Sequence, residues 1–334
     1  NVGSTAQTKM GGVNLAIDST AKVGIGMVPT TKKLEVLGDI LVNVVGGAGV
    51  TVGKGNNSVP SNTAVGVDAL KVNTTGVSNT AVGYQSLSNN TTVSGVEGSY
   101  NTATGYQALY ANTTGYQNTA TGYNALHDNT SGYFNTAVGK EALNSNTTGV
   151  LNTAVGYLAL LGVSGLSTGS NNTAIGPYSL FSNKAGSNNT AMGSQSLSAN
   201  TTIDAASGND NTAIGNGTLQ SNTTGSFNTA VGFGALNANT TNYGNTAVGF
   251  SALKLNTAGD NTAVGRFALA ANTLGTSNTA SGAYALYANQ GGFGNTASGN
   301  SALRNNLANN NTAVGSSALL GNAGGSNNTA LGYG

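Results

Sequence analysis

The chain has 334 residues, of which only 6% are charged, with a formal net charge of +1 and neither cysteine nor tryptophan. The few Lys and Arg are scattered singly along most of the chain, which excludes a nucleic-acid surface built on clustered cations. The missing thiols exclude disulfides and thiolate metal sites, and there is no run of about twenty apolar residues able to cross a membrane. An ordinary globular domain carries roughly a quarter charged residues, and a disordered chain has high net charge and low hydrophobicity. This one is 38% hydrophobic and nearly neutral, so its order has to come from repetition.

Residues 1–60 hold no repeat. They carry Lys9, Lys22, Lys32, Lys33 and Lys54 beside Asp18, Glu35 and Asp39, and no basic segment followed by an apolar stretch opens them as a signal peptide would. Leu34-Glu35-Val36 and Ile40-Leu41-Val42 read as short strands. The segment is expected to cap the first repeat or to join it to an upstream element, because an open terminal edge is adhesive.

From residue 61 to 334 the tripeptide Asn-Thr-Ala recurs, starting at Asn62 and ending with the copy at Asn328. The spacings between successive starts are 17, 22, 17, 17, 17, 20, 17, 22, 17, 17, 16, 17, 17, 16 and 17 residues. The longer spacings, over 83–101, 156–172 and 193–211, are rich in Ser, Gly and Val and read as loops bulging from a coil. The unit is N-T-A-V-G-x-x-A-L-x-x-N-T-T-G-x-x, with Ala third, Gly fifth and Leu ninth in every complete copy.

A helix is excluded by the Gly, Asn and Thr in each unit and by a period that is not a multiple of 3.6. Two short extended segments per unit, N-T-A-V and x-A-L, closed by Gly- and Asn-rich turns, fit the pattern. One unit buries too little apolar surface to offset an ordering cost of roughly 1–2 kcal/mol per residue. Stacking solves this: coils about 4.8 Å apart pair their backbones with the coils above and below. The expected fold is all-β, a parallel β-solenoid or β-roll of about sixteen 17-residue coils, roughly 75–80 Å long. Val65, Val82 and their equivalents are expected to form one buried column and the Leu residues another. The Asn and Thr columns are expected to satisfy turn backbone and to hydrogen-bond along the axis. The end at Leu331-Gly332-Tyr333-Gly334, part-way through a unit, is what a longer natural chain would give.

Chemistry is hard to place. The only histidine is His127, beside Asp128 at a variable position. The acidic residues recur at no spacing that suits acid–base catalysis, and no Ser has a credible base partner. Asn stands where calcium-binding β-rolls need Asp, so no catalytic, cofactor or metal residue is assigned. The variable positions are more informative. Tyr84, Tyr106, Tyr123, Tyr157, Phe233 and Phe250 all follow the fifth-position Gly, and stacked coils would line them into a surface stripe. Tyr116, Tyr133, Phe134, Phe227, Tyr243 and Phe293 form a second set. Either stripe packs over neighbouring coils or between chains, or it binds glycans or other fibres.

The units near 101–118, N-T-A-T-G-Y-Q-A-L-Y-A-N-T-T-G-Y-Q, are similar to two groups. One is the head domain of trimeric autotransporter adhesins, which carries an Asn-x-x-Ala-Ile-Gly element at a shorter period. The other is the shaft of bacteriophage tail fibres and related bacterial surface proteins, and Val23 to Ile40 resembles an element found ahead of such repeats. The resemblance implies a homotrimeric, non-enzymatic adhesive fibre, extracellular, at a cell surface or on a virion, with a surface glycan or receptor as its target. A different class, an ice-binding solenoid, would require a doubled Thr row on a flat face, where the unit supplies one regular Thr column.

Overall fold

The computed structural model describes residues 40–42, 50–55, 59–91, 95–163, 167–201 and 207–334. The expected strand Leu34-Glu35-Val36 and most of the element from Val23 to Ile40 lie outside them. Among the described residues there is no helix. Strand β3 (Thr63–Gly66) is followed by fifteen three-residue strands, β4 (Thr80–Val82) through β18 (Thr329–Leu331), each on one copy of the repeat. Each pairs in parallel with the next, Thr on Thr and Ala on Ala, as in Thr102↔Thr119 and Ala103↔Ala120. The fold is a parallel β-solenoid with like residues in register. β1 (Ile40–Val42) and β2 (Val50–Gly53) pair antiparallel with each other, and β2 pairs antiparallel with β3 through Val52↔Val65, so the first rung has a partner on its outer edge.

Each coil holds its neighbours from both sides. The Thr102 and Leu109 amides donate to the following coil, at the carbonyls of Asn118 (2.8 Å) and Ala125 (3.0 Å). The Gly105 and Gln107 amides donate to the preceding coil, at Val82 (2.8 Å) and Tyr84 (2.9 Å). The corner glycine lets the rungs approach this closely. Gly122 sits at φ +138°, and a Cβ there would run into the Gly139 carbonyl, 2.7 Å from its carbon; no other residue type fits.

Two expectations are corrected. The first is the second strand. The x-A-L segment is a turn, because the seventh and ninth residues are left-handed: Gln107 has φ 50° and Leu109 φ 52°. All fifteen unit leucines share this conformation, with φ between 48° and 53°. A left-handed residue with a Cβ costs roughly 1–2 kcal/mol, which full burial of Leu, at roughly 1.5–3 kcal/mol, offsets. The second is the core. Along each strand from β3 to β17 the Ala is buried while the Thr before it and the residue after it, most often Val, point outward, as in β7 (Thr136–Val138) and β8 (Thr153–Val155), and as the twofold period of a strand requires. Val138 and Val155 are 38% and 37% exposed. The core is therefore the third-position Ala, the eighth-position Ala and the Leu, running from Ala64 to Ala318. Where Ser or Thr replaces the eighth Ala, its hydroxyl bonds the corner carbonyl, as Ser179 does to Gly176 at 2.8 Å.

Two asparagine columns close the coil. The first-position Asn accepts the next coil's backbone N–H, as Asn101 Oδ1 does from Asn118 (3.0 Å), and donates to a turn carbonyl, Gly115 (2.9 Å). The twelfth-position amides form a ladder: Asn129 Nδ2 donates to Asn112 Oδ1 at 2.8 Å, and Asn146 Nδ2 donates to Asn129 Oδ1 at 2.9 Å. This pairing satisfies groups that are fully buried. The same Asn clasps the carbonyl at the fifteenth position whatever lies between. Asn112 reaches Gly115 (2.9 Å) in a regular unit, Asn90 reaches Gly98 (2.7 Å) in a long one, and Asn256 reaches Ala258 (2.6 Å) in a short one. In the 20-residue unit Val163 replaces the Asn, and the Ser167 hydroxyl accepts the Val163 amide at 2.9 Å instead. In the short units Asn256 and Asn306 still accept from the next rung, at 2.6 and 2.9 Å, but donate to Ala258 and Ala308 and not to the preceding rung, leaving Oδ1 of Asn239 and of Asn289 buried without a partner.

Candidate interaction surface

The six aromatics that follow the corner glycine lie in one column, 41–56% exposed. Tyr84, Tyr106 and Tyr123 form a continuous stack, with ring centroids 5.2 and 5.0 Å apart and interplanar angles of 13° and 7°. That spacing follows from the rung repeat of about 4.8 Å, which holds successive rings at offset-stacking distance. Lys140 continues the column, its Nζ 5.8 Å from the Tyr123 centroid and 5.5 Å from that of Tyr157. Phe233 and Phe250 form a second stack at 5.4 Å. The structure thus brings three of the six together, pairs two others, and joins Tyr157 to the first group through Lys140. Stacking covers the ring faces along the axis, so the ridge presents ring edges and, over the tyrosines, a row of hydroxyls.

Beside Lys140, three aromatic residues that join these stacks were not singled out in the sequence. Tyr178 meets Tyr157 edge-on at 5.3 Å, and Phe267 and Tyr284 extend the second stack. They stand at the next position of the unit, and aligning the copies two residues beyond the glycine would have shown that column. Arg266 and Arg304 lie on either side in sequence of Tyr284, 4.9 and 5.1 Å from its ring centroid. Lost hydration raises the Tyr178 pKa above the usual phenol value, helped by a hydrogen bond and repulsion from Tyr157 and opposed by Lys140.

The second set divides. Tyr116 and Tyr133 stack at 4.7 Å, with Phe134 edge-on to both. Phe227 and Tyr243 are 65% and 60% exposed and line a groove of about 350 Å³ with Ser207, Thr224, Ser226 and Thr241. His127 Nδ1 lies 2.6 Å from Asp128 Oδ1 and its ring stacks on Tyr110. Among the described residues no three His, Cys, Asp or Glu side chains cluster as metal ligands, and no helix is long and apolar enough to cross a membrane. No family model, curated protein or solved structure matches the chain.

Proposed function

We propose that the chain is the shaft of a non-enzymatic adhesive fibre, working outside the cell, on a cell surface or on a virion. The observation that carries this reading is the in-register column of sixteen strands, a form that gives reach and stiffness and repeats every surface feature along one axis. The Tyr84–Tyr106–Tyr123 ridge supports the adhesive part, as an exposed aromatic patch bordered by polar side chains is a contact surface. A glycan or receptor on another cell is its expected target. Copies of the same chain are its other expected partner.

The test is retention of the labelled full chain on cells and on an array of neutral and sialylated glycans. Retention is expected for the native chain and its loss for Y84S/Y106S/Y123S with an unchanged circular dichroism spectrum. A triple variant that binds as well as the native chain would refute the ridge. The ice-binding reading is less well supported. A hydroxyl stands at both outward strand positions only in β5 (Thr102–Thr104), β6 (Thr119–Thr121), β15 (Thr279–Ser281) and β16 (Thr296–Ser298). The doubled row never exceeds two adjacent rungs, and a thermal-hysteresis assay would decide between the readings.

A further inference from the structure

The outer face of the strand column shows a pattern that the repeat itself does not require. Every strand from β3 to β18 begins with Thr, and the residue two places on, which shares its face, varies. None of these sixteen outward residues is charged. The centre of the column lies between Met192 and Ile214, which are register partners. From there aliphatic residues continue without a break out to Val138 on one side and Val264 on the other, four rungs each way. Two hydroxyl rungs follow on each side, Thr121 and Thr104 against Ser281 and Ser298, and beyond them two aliphatic rungs at either end. Read from either end, the column gives the same order of aliphatic and hydroxyl residues.

We infer that this face is a self-complementary seam on which a second copy of the chain packs antiparallel, the two-fold axis passing between Met192 and Ile214. An isologous contact brings residue i against residue j and j against i. Here that places aliphatic on aliphatic and hydroxyl on hydroxyl at all sixteen rungs. The equal rung spacing lets the two columns match without slippage. The additional residues of the long units leave the coil between its twelfth and fifteenth positions, outside the strand. Three residues across at about 3.3 Å and sixteen rungs at about 4.8 Å give a footprint of roughly 750 Å² per copy. Stable interfaces bury about 800 Å² per partner. The aliphatics are 37–43% exposed at Val138, Val155, Ile175, Met192, Ile214 and Val264, so there is apolar surface left to bury. The inference rests on the fibre reading and adds to it: antiparallel pairing suits two fibres that approach from opposed surfaces, a homophilic contact beside the binding of a glycan or receptor.

The absence of cysteine gives a clean test. The full chain is prepared as V155C and as V248C, positions that already accept Thr and Ser elsewhere in the column, so folding is preserved. Mass by sedimentation is expected to show pairs. A bismaleimide cross-linker of about 10 Å reach, added to the mixed variants, is expected to join V155C to V248C, with little joining of either to itself. V155K should weaken pairing about tenfold or more, and V155K/V248E should restore it. Self-linked V155C would mean parallel packing, as in a three-chain bundle, and would overturn the inference. So would a chain that stays monomeric at all soluble concentrations. Intact pairs that fail to hold cells or glycans would overturn the adhesive reading and leave the seam standing.

Discussion

Substituting Leu126 separates the two forces that meet at the ninth position. Leu126 is fully buried with φ 53°, and its amide donates to Ala142 at 2.9 Å. Replacing it by Met keeps volume and an unbranched β-carbon, and such swaps usually cost less than about 1.5 kcal/mol. Ile has the same volume, yet β-branching makes φ above zero a true outlier, so roughly 1–3 kcal/mol of backbone strain adds to the repacking. Ala removes the buried side chain at about 2–5 kcal/mol. Gly leaves nearly the same cavity as Ala, and in ordinary strands or helices it is about 0.5–1 kcal/mol worse. At φ 53° that order reverses, because Gly alone occupies the left-handed region freely. The expected ranking is therefore Met above Ile, and Gly equal to or above Ala by roughly 1 kcal/mol. Guanidinium unfolding followed by far-ultraviolet circular dichroism measures it. If L126A proves more stable than L126G and L126I matches L126M, the leucine is not held left-handed and the reasoning fails.

Other perturbations address the corner, the ladder and the ridge. G122A places a Cβ against the Gly139 carbonyl and should cost about 3 kcal/mol, whereas G291A, with open space around it, should be neutral or stabilising by about 0.4–1 kcal/mol; thermal melting compares the two. N129A breaks the ladder on both sides, while N239A removes an amide whose Oδ1 already lacks a partner. The former should be more destabilising by roughly 1 kcal/mol, and equal denaturation midpoints would contradict the ladder's role. Tyr178 should ionise above the ordinary phenol value, and Y157F should bring it part of the way back, in an absorbance titration. Since its folded pKa is raised, the folded state holds its neutral form. The associated stability is complete below the unfolded phenol value and is lost as pH climbs past it through the folded pKa.

The period, the parallel register and the T-A-V strand were legible because inter-coil hydrogen bonds repeat with the sequence and tolerate no drift. Ile40-Leu41-Val42 was legible for a simpler reason, three apolar β-formers in a row. The left-handed leucines were not, since Leu carries no signature for positive φ as Gly does. The outward-facing valine was misread, although the replacements Thr104, Thr121, Ser281 and Ser298 mark a position that meets water. The third-position Ala never varies. Of the surface, the alignment of Tyr84, Tyr106 and Tyr123 followed from the period alone. Lys140, Arg266 and Arg304 as ring partners depended on side-chain directions that spacing does not encode.

The clasp from the twelfth-position Asn to the carbonyl at the fifteenth gives the molecule one edge where length is free. The chain leaves and re-enters that edge between the same two atoms in short, regular and long units, so new segments meet only the slow logarithmic penalty of loop closure, about 0.6 kcal/mol per doubling. Diversity can accumulate there, coil by coil, with the remaining sides held constant. Foreign peptides grafted at that edge would be displayed in a single file, about 4.8 Å apart along the axis.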